Sequence, residues 1–320
     1  MLSCAVLDDY QDVAKSIADW RTLAGKVTVQ VFSEHFFDRA ALSRALFEFD
    51  IVVAMRERTP FDEWLFERLP KLKLLVTTGM RNASIDLDAA SRHRVQVCGT
   101  GGFAGATAEL TWGLIHSLTR DIPREVNRFR EGGKWQTGLG RGLLGKTLGV
   151  IGTGNLGLRV ARVGLAFGMH VFGWSRSLTP ERCAEIGIQH AGTLDNLLAN
   201  ADIVSLHVTL NAQSRGLIGA REFGLMRRSA YLVNTSRGPV VDEAALIHAL
   251  RTRQIAGAGI DVYAEEPLAL DHPFRSLDRL IATPHLGYVT EETYRVYYGQ
   301  AVENIGAWLA GTPLRLLGKS

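Results

Sequence analysis

Short apolar runs and amphipathic stretches alternate along this chain in two successive series, and no other feature narrows the fold as far. Strand-like runs fall at about 3–8, 27–32, 50–54, 72–76 and 95–98, with helical stretches such as Asp38 to Phe47 between them. The aspartate that opens that stretch is a good N-cap residue. A second series begins at Thr147, with runs near 147–151, 169–174, 202–206, 230–234, 256–260 and 280–282. Apolar strands separated by helices build parallel sheets covered on both faces. Six strands in the second series is the number in a complete dinucleotide-binding sheet. The chain therefore reads as α/β, with two doubly wound parallel-sheet domains, Rossmann-like or flavodoxin-like, and a cleft between them.

At 320 residues the chain is long enough for two such cores. Between the series lies Ala106 to Arg130, helical in pattern, with Pro123 as the expected kink or break. A glycine-rich loop, 132–142, follows. The stretch Glu291 to Leu309 is helical and comes after the second sheet is complete, so it is expected to return to the first domain. The division is then 1–100 with 289–320, discontinuous, and 101–288 inserted between them.

Bulk properties exclude several classes. Hydrophobic residues make up 46% and charged residues 22%, as in globular proteins. A net charge of +3, with no run of five basic residues, argues against nucleic acid or an anionic membrane as partner. No apolar stretch is long enough to span a bilayer. The opening run Ser3-Cys4-Ala5-Val6-Leu7 reads as a first strand and not as a signal peptide. Cys4, Cys98 and Cys183 are odd in number and lack metal-ligand spacing. They predict a reduced, cytoplasmic protein without a metal site, in which Cys4 and Cys98 are small core residues.

The second series opens on Gly152-Thr153-Gly154-Asn155-Leu156-Gly157, set between the strand Leu148–Ile151 and a helical stretch to Phe167. The first glycine allows the tight turn, the second lets a pyrophosphate approach the backbone, and the third packs helix on strand. A dinucleotide is the expected ligand of Gly152, Gly154, Asn155, Leu156 and Gly157. In NAD-binding domains an acid about 20 residues on receives the ribose hydroxyls. Here the second strand ends in Ser175-Arg176-Ser177, with no acid at its tip. A hydroxyl beside a guanidinium suits a 2′-phosphate instead. NADP(H) is therefore the expected cofactor, with NAD possible.

Three further strand ends carry reactive side chains: Arg237 in Asn234-Thr235-Ser236-Arg237-Gly238, Glu266 in Asp261 to Pro267, and His285 in Thr283-Pro284-His285-Leu286-Gly287. An imidazole titrates near neutrality and exchanges a proton with a ketone or alcohol oxygen. A carboxylate beside it holds the ring and favours the imidazolium. An arginine offers a fork to a carboxylate and polarises a carbonyl. Glu265 reads as solvated. His35, His93, His116, His190 and His248 show no such partners and read as structural or surface residues.

Taken in order, these motifs resemble the D-2-hydroxyacid dehydrogenase family. The resemblance runs from Thr78-Gly79 through Ala108-Glu109 to Pro284–Gly287. It implies an NAD(P)-dependent oxidoreductase that reversibly reduces a 2-oxo acid to a D-2-hydroxy acid, with domain 1–100 and 289–320 binding the substrate. It places the family's arginine, carboxylate and acid/base histidine on Arg237, Glu266 and His285. It places Asp261 near the nicotinamide carboxamide and His207 along the cofactor, with Thr235, Ser236 and Gly287 also on the cofactor side. A homodimer formed through the region of Trp112 and Trp135 is implied as well.

Within the family, the Ser-Arg strand end is similar to the NADPH-dependent glyoxylate/hydroxypyruvate reductases. Phosphoglycerate oxidation ranks below them, because the chain ends at Ser320 without a regulatory extension and its substrate loop differs. A non-catalytic, NAD(P)-sensing corepressor-like protein is the rival outside enzymology. The substrate loop departs from the family pattern. At Gly79-Met80-Arg81-Asn82, an arginine stands where the family has a glycine. Either Arg81 meets a polar group of a larger substrate or it faces solvent. Arg56 and Arg58, after the third strand, rank below it.

Overall fold

The computed structural model describes residues 1–103 and 105–318. Ala104, Lys319 and Ser320, the last two at the end of the expected first domain, lie outside the described residues. The chain divides into two compact units, Met1–Phe103 with Thr290–Ser320, and Ala104–Val289.

The first unit is a six-stranded sheet. Its strands are β1 (Leu2–Val6), β2 (Val27–Val31), β3 (Ile51–Ala54), β4 (Leu74–Thr77), β5 (Gln96–Gly99) and, from the far end of the chain, β13 (Leu316–Leu317). The order is β13-β5-β4-β3-β1-β2. The strands β1 to β5 pair in parallel, while β13 runs antiparallel to β5. Apart from that last strand, this is the flavodoxin-like order. Every residue of β3 and β4 is buried, as expected for strands covered on both faces. The helix Glu291–Leu309 belongs to this unit. Its fully buried Asn304 donates to Gly99 O at 2.8 Å and accepts from Arg315 at 2.8 Å, so it seals the end of β5.

The second unit holds β6 (Thr147–Ile151), β7 (His170–Trp174), β8 (Gln189–His190), β9 (Ile203–Leu206), β10 (Tyr231–Asn234), β11 (Gly257–Ile260) and β12 (Leu280–Ala282). The order is β12-β11-β10-β9-β6-β7-β8, with every pairing parallel. This is the dinucleotide-binding order with one strand more than the six expected. The extra strand, β8, is two residues long and too short to show a period. The switch point lies between β6 and β9, where the strand order reverses.

The break expected at Pro123 falls earlier. Helix Ala106–Arg120 ends at Asp121, whose φ of 52° is left-handed, and a second helix, Ile122–Arg130, begins at once. Pro123 sits in its first turn, where a missing N–H costs nothing. Two of the histidines read as lacking partners do have carboxylates beside them. His35 Nδ1 is 2.8 Å from Asp8, and His93 Nε2 is 2.8 Å from Glu63. Both partners are far away in sequence, which hid them. Cys4, Cys98 and Cys183 are buried and free. No helix among the described residues is long and apolar enough to cross a membrane.

Candidate active site

The glycine loop joins β6 to the helix Asn155–Ala166. Gly152 has φ 93°, a region most side chains avoid. A Cβ on Gly157 would lie 2.0 Å from Gly152 O, so only glycine lets helix and turn meet. A Cβ on Gly154 would meet nothing within 4 Å, which leaves the approach to the helix open. That helix has no side-chain N-cap and no acid in its first turn, so its N-terminal amides suit an anion. The loop therefore fits the pyrophosphate of a dinucleotide. Asn155 and Leu156 supply the first amides of the helix.

His207 follows β9, and its backbone lies against Gly152, 2.7 Å from where a Cβ would stand. Its Nε2 is 2.8 Å from Ser205 Oγ. Burial disfavours the charged ring and pulls its pKa down to about 4. After β7, Ser175 is half-buried while Arg176 and Ser177 are exposed. The Arg176 guanidinium donates to Gln213 O at 2.7 Å and also to the Gln213 side chain.

The other three functional loops follow β10, β11 and β12, which are adjacent and parallel, so all three leave the sheet at the same edge. After β10, the buried Asn234 holds the turn. Its Oδ1 accepts from Ser236 N–H at 3.0 Å and Ser236 Oγ at 2.8 Å, and its Nδ2 donates to Arg237 O at 3.0 Å. Arg237 donates to Ser236 O at 2.7 Å. Thr235 Oγ1 is 2.8 Å from Thr111 Oγ1 on the helix Ala106–Arg120. A Cβ on Gly238 would fall 2.0 Å from Tyr263 C, so the Arg237 and Glu266 turns are in backbone contact.

After β11, Asp261 is 1% exposed. Its Oδ1 accepts from Thr283 Oγ1 at 2.6 Å and Leu286 N–H at 2.7 Å, and its Oδ2 accepts from Gly287 N–H at 2.8 Å. Burial raises the Asp261 pKa above the ordinary carboxylate range, although these hydrogen bonds and His285 oppose the rise. Gly287 O in turn accepts from Thr107 at 2.8 Å.

Glu266 Oε2 lies 2.5 Å from His285 Nδ1. Its other oxygen accepts Tyr263 N–H at 3.0 Å. The two side chains are 28% and 19% exposed, so the pair is shielded yet reachable. A carboxylate at Nδ1 fixes a proton there and leaves Nε2 as the working nitrogen. Glu265 is exposed.

In the first unit, Gly79 has φ 96° and lies against the Arg56 guanidinium. Its N–H donates to Thr100 Oγ1 at 2.9 Å. Asn82 ties the loop to its surroundings, donating to Arg56 O at 2.6 Å and Thr77 Oγ1 at 2.8 Å and accepting from Ser84 N–H at 2.8 Å. Met80 and Arg81 are exposed. Arg58 donates to Asp8 O at 2.6 Å.

Residues 112–287 match the model of the "D-isomer specific 2-hydroxyacid dehydrogenase, NAD binding domain". The chain belongs to the D-isomer specific 2-hydroxyacid dehydrogenase family. This dehydrogenase is a nicotinamide-dependent oxidoreductase. It is 39% identical to a glyoxylate reductase of Aeropyrum pernix over 257 residues, 77% of this chain and 76% of that one. It is 34% identical to a hydroxypyruvate reductase of Thermotoga maritima over 288 residues, 88% of this chain and 92% of the other. Its fold is similar to the crystal structure of a phosphoglycerate oxidoreductase from Vibrio cholerae O395. The TM-score is 0.92 at 35% identity, covering 97% of this chain and 100% of that chain.

The residues that the sequence singled out after β11 and β12 do meet in the dehydrogenase, as the Glu266–His285 pair. Asn234, Thr107, Thr111, Tyr263 and Thr283 were not singled out. They are buried or half-buried polar residues whose hydrogen bonds hold the three loops; Asn234, Tyr263 and Thr283 lie within the three strand-end runs, while Thr107 and Thr111 lie on the helix Ala106–Arg120.

Proposed function

We propose that this dehydrogenase reduces a small 2-oxo acid, glyoxylate or hydroxypyruvate, to the D-2-hydroxy acid with NADPH. The 2.5 Å contact between Glu266 and His285 at the edge of a dinucleotide-binding sheet carries the reading. A bound nicotinamide supplies the hydride. His285 donates the proton to the ketone oxygen through Nε2, and Glu266 holds the ring and balances its charge. Arg237 grips the substrate carboxylate and polarises the ketone. Asn234 sets the turn that presents it. Asp261 holds the His285 loop, with Gly287 as its anchor. His207, neutral at working pH, lines the cofactor side with Thr235 and Ser236.

The phosphate preference rests on Ser175, Arg176 and Ser177. Their position after β7, with Gln213 already orienting the guanidinium, favours a 2′-phosphate over bare ribose hydroxyls. The loop Gly79–Asn82 is the proposed substrate-recognition loop, with exposed Arg81 as its variable contact. The experiment is a panel of 2-oxo acids of increasing size, each with NADPH and with NADH. Turnover of glyoxylate or hydroxypyruvate with NADPH supports the reading; no turnover of either overturns it.

A second substrate, phosphoglycerate, is favoured by the likeness to the V. cholerae enzyme; as a 2-hydroxy acid it is assayed in the oxidative direction, with NADP+ and with NAD+ as hydride acceptors. We also propose a homodimer. Phe129, Trp135, Leu139 and Leu144 are 67%, 81%, 102% and 81% exposed, a density of bare apolar groups that suits a covered surface. Three buried, unpaired cysteines support a reducing compartment, the cytoplasm.

A further inference from the structure

We infer that Tyr263 is a positioning residue of the reaction: it couples the Glu266 turn to the His285 loop. The inference rests on the acid/base reading of that pair. Tyr263 acts on both partners from opposite ends. Its main-chain N–H donates to Glu266 Oε1 at 3.0 Å, which leaves Oε2 aimed at the imidazole. Its phenol crosses to the loop after β12 and donates to Thr283 O at 2.8 Å.

That carbonyl is not a neutral anchor. Thr283 O also accepts the His285 N–H at 2.9 Å, the bond that closes the turn on which the histidine stands. His285 has φ 53°, a left-handed conformation that a side chain with a Cβ rarely adopts and that surroundings must enforce. Asp261 restrains the loop on both sides of the histidine, through the Thr283 hydroxyl before it and Leu286 and Gly287 after it. Tyr263 restrains it before the histidine, from the residue that also steers Glu266. Glu266 and His285 are 19 residues apart in sequence, and Tyr263 is hydrogen-bonded to the turns of both.

The phenol has little freedom to do anything else. Its residue is 8% exposed, and the ring packs at 6.3 Å and 49° on Phe274, inside the core of the second unit. Burial, then the charges of Asp261 and Glu266, push its ionisation well above the ordinary tyrosine range. It therefore remains a donor at any pH at which a His/Glu pair works. Gly238, pressed on the Tyr263 backbone, ties the Arg237 turn to the same residue. Tyr263 touches no reacting atom in this scheme, and it acts by fixing the distance across the pair.

The test is Tyr263→Phe, which keeps the ring in the core and removes only the hydroxyl, made in the full chain and in a Glu266→Gln background. Turnover of the best 2-oxo acid and cofactor affinity by nicotinamide fluorescence are measured in each. The expected result is a fall in kcat of about tenfold in the otherwise native enzyme, cofactor affinity unchanged, and a fall of less than about twofold in the Glu266→Gln background. An equal fall in both backgrounds makes Tyr263 a general packing residue and overturns the proposal, as does no fall in the first. If Glu266→Gln itself leaves kcat intact, the acid/base reading fails and the proposal fails with it. Loss in Glu266→Gln without loss in Tyr263→Phe removes the proposal alone.

Discussion

Asp261 and Gly287 are joined by a 2.8 Å hydrogen bond from the glycine N–H to a carboxylate that is 1% exposed. With Thr283 and Leu286 on its other oxygen, that carboxylate spans the whole loop carrying His285. An asparagine at 261 turns an NH2 toward at least one of these donors. Asp261→Asn is expected to lose about 1–3 kcal/mol of unfolding free energy and to lower kcat, because a buried donor is left unpaired. Urea melts and steady-state rates at pH 7 check this; unchanged stability would mean that the carboxylate is not the clamp.

His285→Asn removes the proposed proton donor and leaves the glycine loop untouched. kcat is expected to fall by roughly 10²–10⁴ while the cofactor still binds. Fluorescence titration of the variant with NADPH separates the two effects. Turnover within a few-fold of the native rate rules out the assignment.

Arg176→Ala addresses the choice between cofactors. If the guanidinium meets a 2′-phosphate, KM for NADPH rises roughly 10- to 100-fold, the worth of a charge-assisted hydrogen bond, while KM for NADH barely moves. Parallel shifts for both cofactors would assign Arg176 to the loop alone.

His207 links stability to acid. Its folded pKa is lowered to about 4, so the unfolded chain takes up the proton first as pH falls. The stability it contributes is therefore complete above the ordinary histidine value and drains away as pH drops from about 6.5 towards 4, by up to about 3 kcal/mol. The unfolding free energy of native protein minus that of His207→Asn should decline across this window. A flat difference contradicts the burial of a neutral ring.

Gly238→Ala places a methyl where Tyr263 main chain already stands, 2.0 Å away. Two backbones must part to admit it. A loss of at least about 2 kcal/mol is expected, with turnover falling further than stability alone explains. Thermal melts beside kcat measurements test it.

Much of this was legible in the sequence because it is periodic or chemically conspicuous. Apolar runs of three to six residues announced β1 to β7 and β9 to β12, and a glycine loop between strand and helix needs no tertiary information. His285 and Glu266 stood out because few residue types move protons. What escaped notice has physical reasons. β8 and β13 are two residues each, shorter than one period of anything. Thr107, Thr111 and Tyr263 are ordinary residues whose roles consist wholly of bonds to distant carbonyls and hydroxyls. The carboxylates beside His35 and His93 are 27 and 30 residues away. The partners of Asn82 are equally scattered: its NH2 donates to Arg56 O and Thr77 Oγ1, and its oxygen accepts from Ser84 N–H.

The first unit is closed by residues that are synthesised after the inserted one. Asn304 and β13 complete the end of β5, but the whole of Ala104–Val289 is translated in between. At about 5–20 residues per second, the ribosome takes roughly 10 to 40 s to cross that insert. For that interval the nascent chain carries an open sheet edge at Gln96–Gly99, and the inserted unit has time to fold first. Until β13 emerges, β5 has a partner on one side alone, so the sheet of the first unit is completed only after the inserted unit has been made.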